Sequence, residues 1–592
     1  MMMPANPLLR SIMFGAVRPA AASTTRGSNR IRSKILWCRN ITTSILPWER
    51  NSRNTITLEM SRRLQQYSSS SSSSSSSNES RLRSPVPADI YAFRAILDQQ
   101  PGSVLLDANE VESYNTDWTK HYKGTSSIVL RPKCTQDVSK ILAYCHTNHI
   151  GVVPQAGNTG LVGGSIPMSS SEIIVSVERM KDIISFDPTT GILTGQAGGI
   201  LQDWQDYARD NRVILPIDLG SKGSCCIGGT VSTNAGGQYY ARYKSLHANV
   251  VGLEVVLANG DILKFNIQET DKDSNSGCTV FCNLKDNTGY DLKHLFIGAE
   301  GSLGIITKVA LWCSSSYPQS RCAVICACTS LEQVQKCLYL ARQTLGETLS
   351  AFEFMDRSVT HLVANSPNSV TSQGNAATMI PKRISSTSGT DGDDSEFYPY
   401  YILVETHGSN GLHDDEKMER FLEESIQQNA VEDGVLAQDL TQLESMWAVR
   451  ESCNPTVASH GYTYKYDVSL PISDFEDFAN DLRRRLDSKC SSLDIAITNW
   501  GHIMDGNLHF NVTTLGKFDM EPKVLEALEP YIFESVIRRG GSISAEHGLG
   551  QAKNKYLPKV HDASTLALMK TIKQVMDPHG IMNPGKYLPL QL

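Results

Sequence analysis

The sequence predicts an α+β protein made of an α/β domain, an antiparallel-sheet domain and a C-terminal helical segment. Between residues 88 and 320, short strand signals alternate with helical periodicity, which is typical of an α/β domain. After residue 320, aromatic and β-branched runs are separated by amphipathic stretches, which favours an antiparallel sheet backed by helices. A chain of 592 residues is also too long for one hydrophobic core, so several domains are expected.

The N-terminal region differs in composition from the rest of the chain. Its first 85 residues carry thirteen Lys and Arg against three acidic residues, which leaves about −17 of charge on the remainder of a chain whose net charge is −7. A basic, serine-rich and acid-poor leader is typical of a mitochondrial transit peptide. The serine run over 68–77 cannot bury apolar surface. We therefore expect residues 1–87 to be a transit peptide with a disordered leader, and the protein to reside in the mitochondrial matrix.

Composition also argues against several classes of function. The acidic remainder has no basic stripe, so a nucleic-acid partner is not expected and the alternative of a nucleic-acid-binding tail is disfavoured. No apolar run reaches the roughly 18 residues that a membrane-spanning helix needs, so no membrane span is expected. The fourteen cysteines lack C-x-x-C spacing, which indicates buried thiols rather than disulfides or an iron–sulfur cluster.

The domain over 88–320 is predicted to begin with a strand, a helix and a second strand. The run from Ser127 reads as the first strand and residues 136–146 as the helix, with Pro132 and Pro154 marking the boundaries. The α/β alternation continues through several further apolar runs before residue 320. This order predicts a sheet with helices packed against it.

Three glycine clusters lie in this domain, over 154–165, 224–237 and 297–307. Glycine allows close backbone approach, so several amide groups can converge on an anion such as phosphate. The clusters match neither the G-x-G-x-x-G fingerprint nor a Walker loop. One such cluster is usually only a turn, but three in one domain predict a long ligand with a pyrophosphate.

The second domain is expected over 321–520. It contains a Ser/Thr/Gly/Asp-rich stretch at 365–396 that reads as a flexible surface insertion, and helices near 414–429 and 472–488. The C-terminal segment over 521–592 is expected to be helical and to return to the first domain.

A group of histidines and a carboxylate near the C-terminus carries the chemistry. His502 and His509 flank a turn at 505–507 between two short strand-like runs, and Glu546 and His547 follow about forty residues later. Neutral imidazoles and a carboxylate are ligands for a divalent first-row cation. We predict that His502, His509 and Glu546 hold a metal and that His547 stands beside it as a base. The alternative is three hydrogen-bonded core histidines and a helix-capping glutamate.

Six segments of the chain resemble, in order, the FAD-dependent 2-hydroxy-acid dehydrogenases of the vanillyl-alcohol-oxidase flavoprotein superfamily. They are P-Q-A-G-N-T-G-L-V-G-G-S, G-G-T-V-S-T-N-A-G-G, L-F-I-G-A-E-G-S-L-G-I-I-T, G-H-I-M-D-G-N-L-H, S-A-E-H-G-L-G and M-N-P-G-K. The resemblance covers nearly everything after residue 88. It implies a PCMH-type FAD-binding domain of two α/β subdomains, an antiparallel-sheet cap domain, and a C-terminal segment that completes the active site.

The resemblance also implies the cofactors. A divalent metal, usually zinc, is expected beside the flavin. Relatives that bind FAD covalently have a histidine in the first glycine loop, where this chain has Asn158 and Thr159, so non-covalent FAD is expected. The cofactor-binding residues implied by position are Gly157, Asn158, Thr159, Gly160, Leu161, Gly164, Ser165, Gly228, Gly229, Thr233 and Ile306.

Two cationic residues in the cap region predict a dicarboxylic substrate. Arg450 offers a planar fork to one carboxylate and Lys465 a point charge to another. In the related D-lactate dehydrogenases a small polar residue takes the place of Lys465. Asn454 and Asn507 are further candidate substrate contacts, although relatives specific for dicarboxylates have Thr at the position of Asn454. Relatives also have Gly at the position of Met504.

These residues together lead to a predicted reaction. The resemblance implies oxidation of D-2-hydroxyglutarate to 2-oxoglutarate, with hydride transfer to flavin N5, the metal polarising the hydroxy acid, His547 as the base and an electron-transfer flavoprotein as acceptor. The alternatives are a D-lactate dehydrogenase or glycolate-type oxidase, a non-catalytic flavin-binding subunit, and a flavin-free metallohydrolase.

Overall fold

A computed structural model describes residues 82–267, 286–314, 320–366, 375–383 and 396–589. The transit peptide and serine-rich leader expected over 1–87 lie outside the described residues, apart from the last six. Most of the insertion expected at 365–396 lies outside them as well. No helix in the described ranges is long and apolar enough to cross a bilayer.

The first part of the fold is a four-stranded sheet with strand order β1-β2-β4-β3. Strands β2, β4 and β3 are parallel, and β1 pairs with β2 antiparallel. Almost every residue of β3 and β4 is buried, as expected for parallel strands that are covered on both faces. The strands are β1 (Val104–Leu105), β2 (Val129–Leu130), β3 (Gly151–Gln155) and β4 (Glu172–Ser176).

A five-stranded antiparallel sheet follows, with order β5-β6-β9-β7-β8. Apolar residues from one face of this sheet and from one face of the four-stranded sheet meet in one hydrophobic core. The two sheets form the two α/β subdomains of the predicted fold. The strands are β5 (Ile183–Asp187), β6 (Ile192–Gln196), β7 (Val250–Val256), β8 (Ile262–Phe265) and β9 (Ile305–Trp312).

Helices connect and cover these two sheets. The helix expected over 136–146 is present and starts one residue earlier than predicted, at Thr135. The helices of this part are α1 (Pro87–Ile96), α2 (Ala108–Asn115), α3 (Thr135–Asn148), α4 (Leu201–Asp210), α5 (Ile227–Ser232), α6 (Tyr240–Tyr243) and α7 (Leu246–Asn249).

A seven-stranded antiparallel sheet follows, with order β13-β10-β12-β11-β15-β16-β14. The antiparallel sheet predicted after residue 320 is therefore confirmed. Its strands are β10 (Ser320–Cys328), β11 (Leu349–Asp356), β12 (Tyr400–Gly408), β13 (Asp433–Leu436), β14 (Gly461–Ser469), β15 (Ile495–His502) and β16 (Asn507–Leu515).

Alternate residues of this sheet enter two different cores. In β10, Cys326 and Cys328 pack on one side of the sheet, whereas Ile325 and Ala327 pack on the other. This period of two is the normal consequence of strand geometry. The helices that cover the sheet are α8 (Leu331–Thr344), α9 (Arg357–Asn365), α10 (Gly411–Gln427), α11 (Leu440–Glu451), α12 (Cys453–His460) and α13 (Phe475–Lys489).

The C-terminal segment contains four helices in the described residues and reaches the first sheet. Met582 forms a parallel bridge with Val152 of β3. The helical segment expected over 521–592 is interrupted near its start, because Pro530 has no amide hydrogen to continue the first helix. The helices are α14 (Pro522–Leu528), α15 (Tyr531–Arg538), α16 (Leu557–Val560) and α17 (Ala563–Met576).

Candidate active site

One face of the seven-stranded sheet carries three of the polar residues singled out above together with two buried acids. Register pairs Glu353 of β11 with His502 of β15, and Asp467 of β14 with His509 of β16. Lys465 lies two residues before Asp467 and therefore points to the same side of β14. We call this surface, defined by Glu353, Lys465, Asp467, His502 and His509, the histidine face.

The predicted metal ligands lie together on the histidine face. The ligand atoms of His502, His509 and Glu546 are all within 4.8 Å of one another. His502 Nε2 is 3.6 Å from Glu546 Oε1, and the two imidazole centroids are 5.6 Å apart. Glu546 comes from the loop between α15 and α16, so the group joins two parts of the chain. Two imidazoles and a carboxylate at this spacing fit a divalent first-row cation with open coordination positions.

The turn between the two histidines is formed without strain at Met504. The left-handed position of the turn is Gly506, with φ of 76°, and Met504 lies in the short 3₁₀ turn before it. A Cβ atom added at Gly506 would lie 2.5 Å from the carbonyl oxygen of Leu470. The glycine is therefore required at position 506, and the Met at position 504 does not alter the turn.

Asp467 organises the loop that carries Glu546 and His547. Its Oδ2 accepts hydrogen bonds from the backbone amides of Glu546 (2.8 Å) and His547 (3.1 Å). Its Oδ1 accepts one from Asn507 Nδ2 (2.7 Å). The same carboxylate lies 3.5 Å from His509 Nδ1 and 3.8 Å from His547 Nδ1. A single buried anion thus touches four residues of the candidate site.

Burial and charge set the proton affinities in this group. Burial opposes protonation of His502, but Glu353 and Glu546 outweigh it and raise its pKa to about 9. Burial lowers the pKa of both His509 and His547, despite the neighbouring Asp467. Burial also raises the pKa of the Glu546 carboxyl. His547 is therefore mainly neutral near pH 7, as a proton acceptor must be.

Arg450 lies at the end of α11 and reaches the same place. Its Nε donates to Glu353 Oε2 at 2.8 Å, and its side chain is 12% exposed. Among the described residues, its two terminal nitrogens have no hydrogen-bond partner. These nitrogens form the fork that binds a carboxylate in a bidentate manner. One edge of the guanidinium is therefore bound to Glu353, and the two terminal nitrogens remain available for a ligand.

The other three predicted substrate contacts differ in their surroundings. Lys465 is exposed as a whole residue, yet desolvation by the surrounding protein lowers the pKa of its ammonium group, which has no ion-pair partner in the described part of the chain. Asn454 is exposed in the first turn of α12 and has no side-chain hydrogen bond to a described residue. Asn507 is 1% exposed, and its Oδ1 has no partner among the described residues.

The three glycine clusters meet in space. A Cβ atom added at Gly157 would lie 2.2 Å from the carbonyl oxygen of Ser224, and one at Gly229 would lie 3.1 Å from Ala156 Cβ. Gly164 of the first cluster faces Glu300 of the third, with 3.6 Å between its ideal Cβ and Oε2. The glycines therefore let the three clusters approach one another closely, and we call this region the glycine cradle; its backbone amides fit the pyrophosphate of a dinucleotide cofactor.

The remaining predicted cofactor residues are near this cradle but have different environments. Asn158 has a φ of 52°, and its Oδ1 accepts a hydrogen bond from Ser165 Oγ at 2.8 Å. A Cβ atom added at Gly160 would have no described neighbouring atom within 4 Å. Thr233 ends α5, and Ile306 is buried within β9. Thr159 and Leu161 lie in the loop of the first cluster, and Gly228 lies in the first turn of α5.

The cradle and the histidine face adjoin each other. A Cβ atom added at Gly236, in the second cluster, would lie 2.3 Å from Glu546 Oε1. The carboxylate of Glu300, in the third cluster, accepts hydrogen bonds from the backbone amides of Leu549 (2.7 Å) and Gly550 (2.8 Å), which follow His547 in the chain. Asn583 of the M-N-P-G-K motif donates to the carbonyl oxygens of Gly164 and Glu300. The loop with Glu546 and His547 is therefore docked on the glycine clusters.

Sequence reasoning missed three carboxylates of the site, Glu353, Asp467 and Glu300. Each is a buried acid in an otherwise apolar or glycine-rich segment, and such acids are almost never fully buried unless they are paired. A single acidic residue within such a segment was the sequence signal that could have identified them. What the sequence could not supply was the identity of their partners.

The close contact at Gly157 leads to a prediction about cofactor binding. A Gly157→Ala variant is expected to lose most of its FAD, because the added methyl group pushes the first and second glycine clusters apart. The flavin absorbance of the purified protein, relative to its protein absorbance, measures this. Gly223→Ala is the matched control, since Gly223 is exposed in the adjacent loop with nothing within 4 Å of its ideal Cβ. Equal flavin content in both variants would contradict the prediction.

Comparison with known proteins shows the family. The sequence model of the "FAD binding domain" family matches residues 126–266, and that of the "FAD linked oxidases, C-terminal domain" family matches residues 317–587. The mitochondrial D-2-hydroxyglutarate dehydrogenase of Danio rerio is 42% identical over 85% of each chain. That of Arabidopsis thaliana is 43% identical over 85% of this chain and 82% of its own. The chain belongs to this family of FAD-linked oxidases.

As an FAD-linked oxidase, the protein has the expected fold. The solved structure of p-cresol methylhydroxylase with substrate bound matches with a TM-score of 0.62 at 16% identity, over 86% of this chain and 98% of that one. This likeness confirms the PCMH-type architecture and the α+β class. The match of residues 126–266 to the FAD-binding domain identifies FAD as the cofactor.

Proposed function

We propose that this FAD-linked oxidase oxidises D-2-hydroxyglutarate to 2-oxoglutarate. The observation that carries the proposal is the contact between Gly236 of the glycine cradle and Glu546 of the histidine face, because it brings a nucleotide site and a candidate metal site to one point. Arg450 and Lys465 supply two cations, one for each carboxylate of the substrate. The relatives at 42% and 43% identity carry this substrate in their names.

Each residue of the site has a part in the proposed reaction. Arg450 and Lys465 bind and orient the two carboxylates, and Asn454 and Asn507 complete the substrate pocket. His547 accepts the proton of the C2 hydroxyl at Nε2, the nitrogen remote from Asp467. Asp467 stabilises the imidazolium that forms, since its carboxylate lies near Nδ1.

Two bound groups complete this chemistry. FAD, held without a covalent bond by the residues of the glycine cradle, would accept the C2 hydride at N5. A divalent cation, most simply zinc, held by His502, His509 and Glu546, would lower the pKa of the substrate hydroxyl. The donor set of two imidazoles and one carboxylate, with ligand atoms within 4.8 Å of one another, supports this assignment.

The proposal extends to domains, partner and compartment. We assign residues 88–320 to FAD binding, 321–520 to the substrate and cap domain and 521–592 to the segment that completes the active site. An electron-transfer flavoprotein would reoxidise the flavin. The mitochondrial matrix is the expected location, since the relatives are named mitochondrial and residues 1–87 read as a transit peptide.

Anaerobic dye reduction tests the proposed function. The purified FAD-loaded protein should reduce an artificial acceptor with D-2-hydroxyglutarate, and much more slowly with L-2-hydroxyglutarate, D-lactate or glycolate. Metal analysis of the same sample should find one divalent cation per chain. Faster reduction with D-lactate would identify the protein as a D-lactate dehydrogenase, and a colourless protein would rule out both enzymes.

Lys465 provides a test of the dicarboxylate assignment. Lys465→Met is expected to raise the KM for D-2-hydroxyglutarate by about 10- to 100-fold, because a charge-assisted hydrogen bond contributes roughly 1.5–3 kcal/mol. Turnover of D-lactate, which lacks the second carboxylate, should change by less than about threefold. Lys489→Met is the control, because Lys489 is exposed on α13. Equal losses with both substrates would exclude Lys465 as the contact for the second carboxylate.

A further inference from the structure

Glu353 is the most deeply buried acid on the histidine face. It lies in the middle of β11, at a relative exposure of 1%. Its Oε1 is 2.6 Å from His502 Nδ1, and its Oε2 accepts a hydrogen bond from Arg450 Nε at 2.8 Å. Each oxygen of one carboxylate therefore serves a different predicted part of the site, the metal ligand and the substrate arginine.

The contact with His502 fixes how that imidazole can act. A carboxylate facing Nδ1 requires a hydrogen on Nδ1, which leaves the lone pair of a neutral ring on Nε2. Nε2 is the nitrogen that faces Glu546, at 3.6 Å. Histidines that bind metals commonly donate their second N–H to a carboxylate in this way, which fixes the tautomer and the ring orientation.

The contact with Arg450 fixes the other half of the site. Because Nε is engaged, the guanidinium plane is set and both terminal nitrogens remain for a ligand. The arginine comes from α11 whereas Glu353 comes from β11, so this contact also holds the helix end against the sheet. Without Glu353, Arg450 would be a largely buried cation with no ion-pair partner among the described residues.

We infer that Glu353 is a positioning residue shared by the metal ligand His502 and the substrate-binding Arg450. The inference rests on the proposed function, and it adds that metal affinity and substrate affinity depend on the same carboxylate. Glutamine at this position offers one neutral acceptor oxygen and one donor nitrogen in place of two anionic oxygens. One of the two contacts therefore loses its acceptor, and the other loses the charge that strengthens it.

The Glu353→Gln variant tests the inference with two readouts. Zinc affinity of the FAD-loaded protein, measured by competition with a chelator in the absence of substrate, should fall by about 10- to 100-fold. The KM for D-2-hydroxyglutarate, measured at saturating zinc, should rise by at least about tenfold. A folded Glu353→Gln variant that keeps either the wild-type zinc affinity or the wild-type KM would overturn the inference, since both are predicted to depend on this carboxylate.

Glu405→Gln is the matched control. Glu405 of β12 is also fully buried and receives hydrogen bonds from Arg321 Nε (2.7 Å) and Trp447 Nε1 (2.6 Å), with His407 Nε2 at 3.0 Å. It touches neither His502 nor Arg450. This variant should lose stability in thermal unfolding but keep zinc affinity within about threefold. Equal loss of zinc in the two variants would show that Glu353 has only a general structural role.

Two further variants separate the two contacts. Arg450→Met should raise the KM but leave zinc affinity within about threefold, and combining it with Glu353→Gln should raise the KM no further, since Glu353 acts on the substrate through Arg450. Additive KM effects would overturn that part of the inference. If Glu353→Gln does not fold, Glu353→Asp replaces it, because aspartate keeps the charge on a side chain that is one methylene shorter. Wild-type zinc affinity together with a wild-type KM in that variant would overturn the positioning role.

The proposed function can fail separately. It fails if the wild-type protein does not oxidise D-2-hydroxyglutarate, whatever the variants do. The zinc measurement needs no substrate, so a Glu353→Gln variant that holds zinc as tightly as the wild type overturns the inference even when the wild-type enzyme is active on D-2-hydroxyglutarate.

Discussion

A His547→Gln variant is expected to lose D-2-hydroxyglutarate turnover by about 10²- to 10⁴-fold, the usual contribution of a general base. Its FAD spectrum and its zinc content should remain those of the wild type. The physical reason is local, because His547 belongs to the loop whose backbone is fixed by Asp467 and Glu300 rather than by its own imidazole. Replacing the ring therefore removes a proton acceptor without removing the loop.

The measurement is steady-state dye reduction, accompanied by flavin and metal content on the same preparation. His413→Gln is the control, because His413 Nδ1 also lies beside an aspartate, 3.5 Å from Asp414 Oδ1, but is 55% exposed on α10. That variant should keep wild-type turnover. Turnover of His547→Gln within about threefold of the wild type would remove His547 from the role of base.

Much of the fold was predictable because its signals are local. The helix at Thr135–Asn148 shows helical periodicity, and the hairpin of β15 and β16 shows strand-like runs around a turn of Asp505 and Gly506. These patterns depend only on neighbours in sequence. The break at Pro530 between α14 and α15 was also readable from the chain, although the prediction treated the stretch as one region.

The candidate site was predictable in its ligand types but not in its supporting contacts. His502, His509 and Glu546 form an unusual set of donors, and their chemistry alone indicates a cation. Glu353 gave no comparable signal, since its partner Arg450 is 97 residues away and the contact depends on how α11 packs on β11. Contacts of this kind follow from tertiary packing, which a single sequence does not encode as a motif.

The docking of the two halves was likewise beyond the sequence. Three glycine clusters indicate a phosphate site, and the histidines indicate a metal site, but no local pattern places them side by side. That arrangement depends on Gly236 lacking a Cβ next to Glu546, and on Glu300 accepting two amides of the loop after His547. It is the feature on which the proposed chemistry depends.

Asp467→Asn is expected to disable the site more broadly than any change of a ligand. The carboxylate accepts hydrogen bonds from Asn507 and from the backbone amides of Glu546 and His547, and an asparagine amide group would present a donor to at least one of these donors. We expect the free energy of unfolding to fall by about 3–5 kcal/mol, as when one partner is removed from a buried charged pair. Zinc content should fall, and turnover should drop by at least about 100-fold.

Asp356→Asn separates loss of stability from loss of the site. Asp356 is partly buried and accepts comparable hydrogen bonds, from the amide nitrogen and Nδ2 of Asn499 and from the backbone amide of Val359, but it lies at the end of β11 on the opposite side of the sheet from Glu353. The Asp356→Asn variant should keep zinc and turnover whatever its stability.

The pH dependence of unfolding distinguishes the two carboxylates further. Burial opposes ionisation of Asp467, but the neighbouring imidazoles and Lys553 hold its pKa well below the usual value. Its contribution to the free energy of unfolding is therefore present above about pH 4 and is lost only as the pH falls through the acid range. Burial raises the pKa of Asp356 to about 6, so the stability linked to its protonation is full below about pH 4 and is lost as the pH rises through 6. Asp467→Asn should therefore lower the free energy of unfolding at neutral pH. Asp356→Asn should abolish the decline in the free energy of unfolding between about pH 4 and 6.

If Asp467→Asn kept zinc and turnover while losing the same stability as Asp356→Asn, Asp467 would be a structural residue and the loop of Glu546 and His547 would have to be held by Glu300 alone.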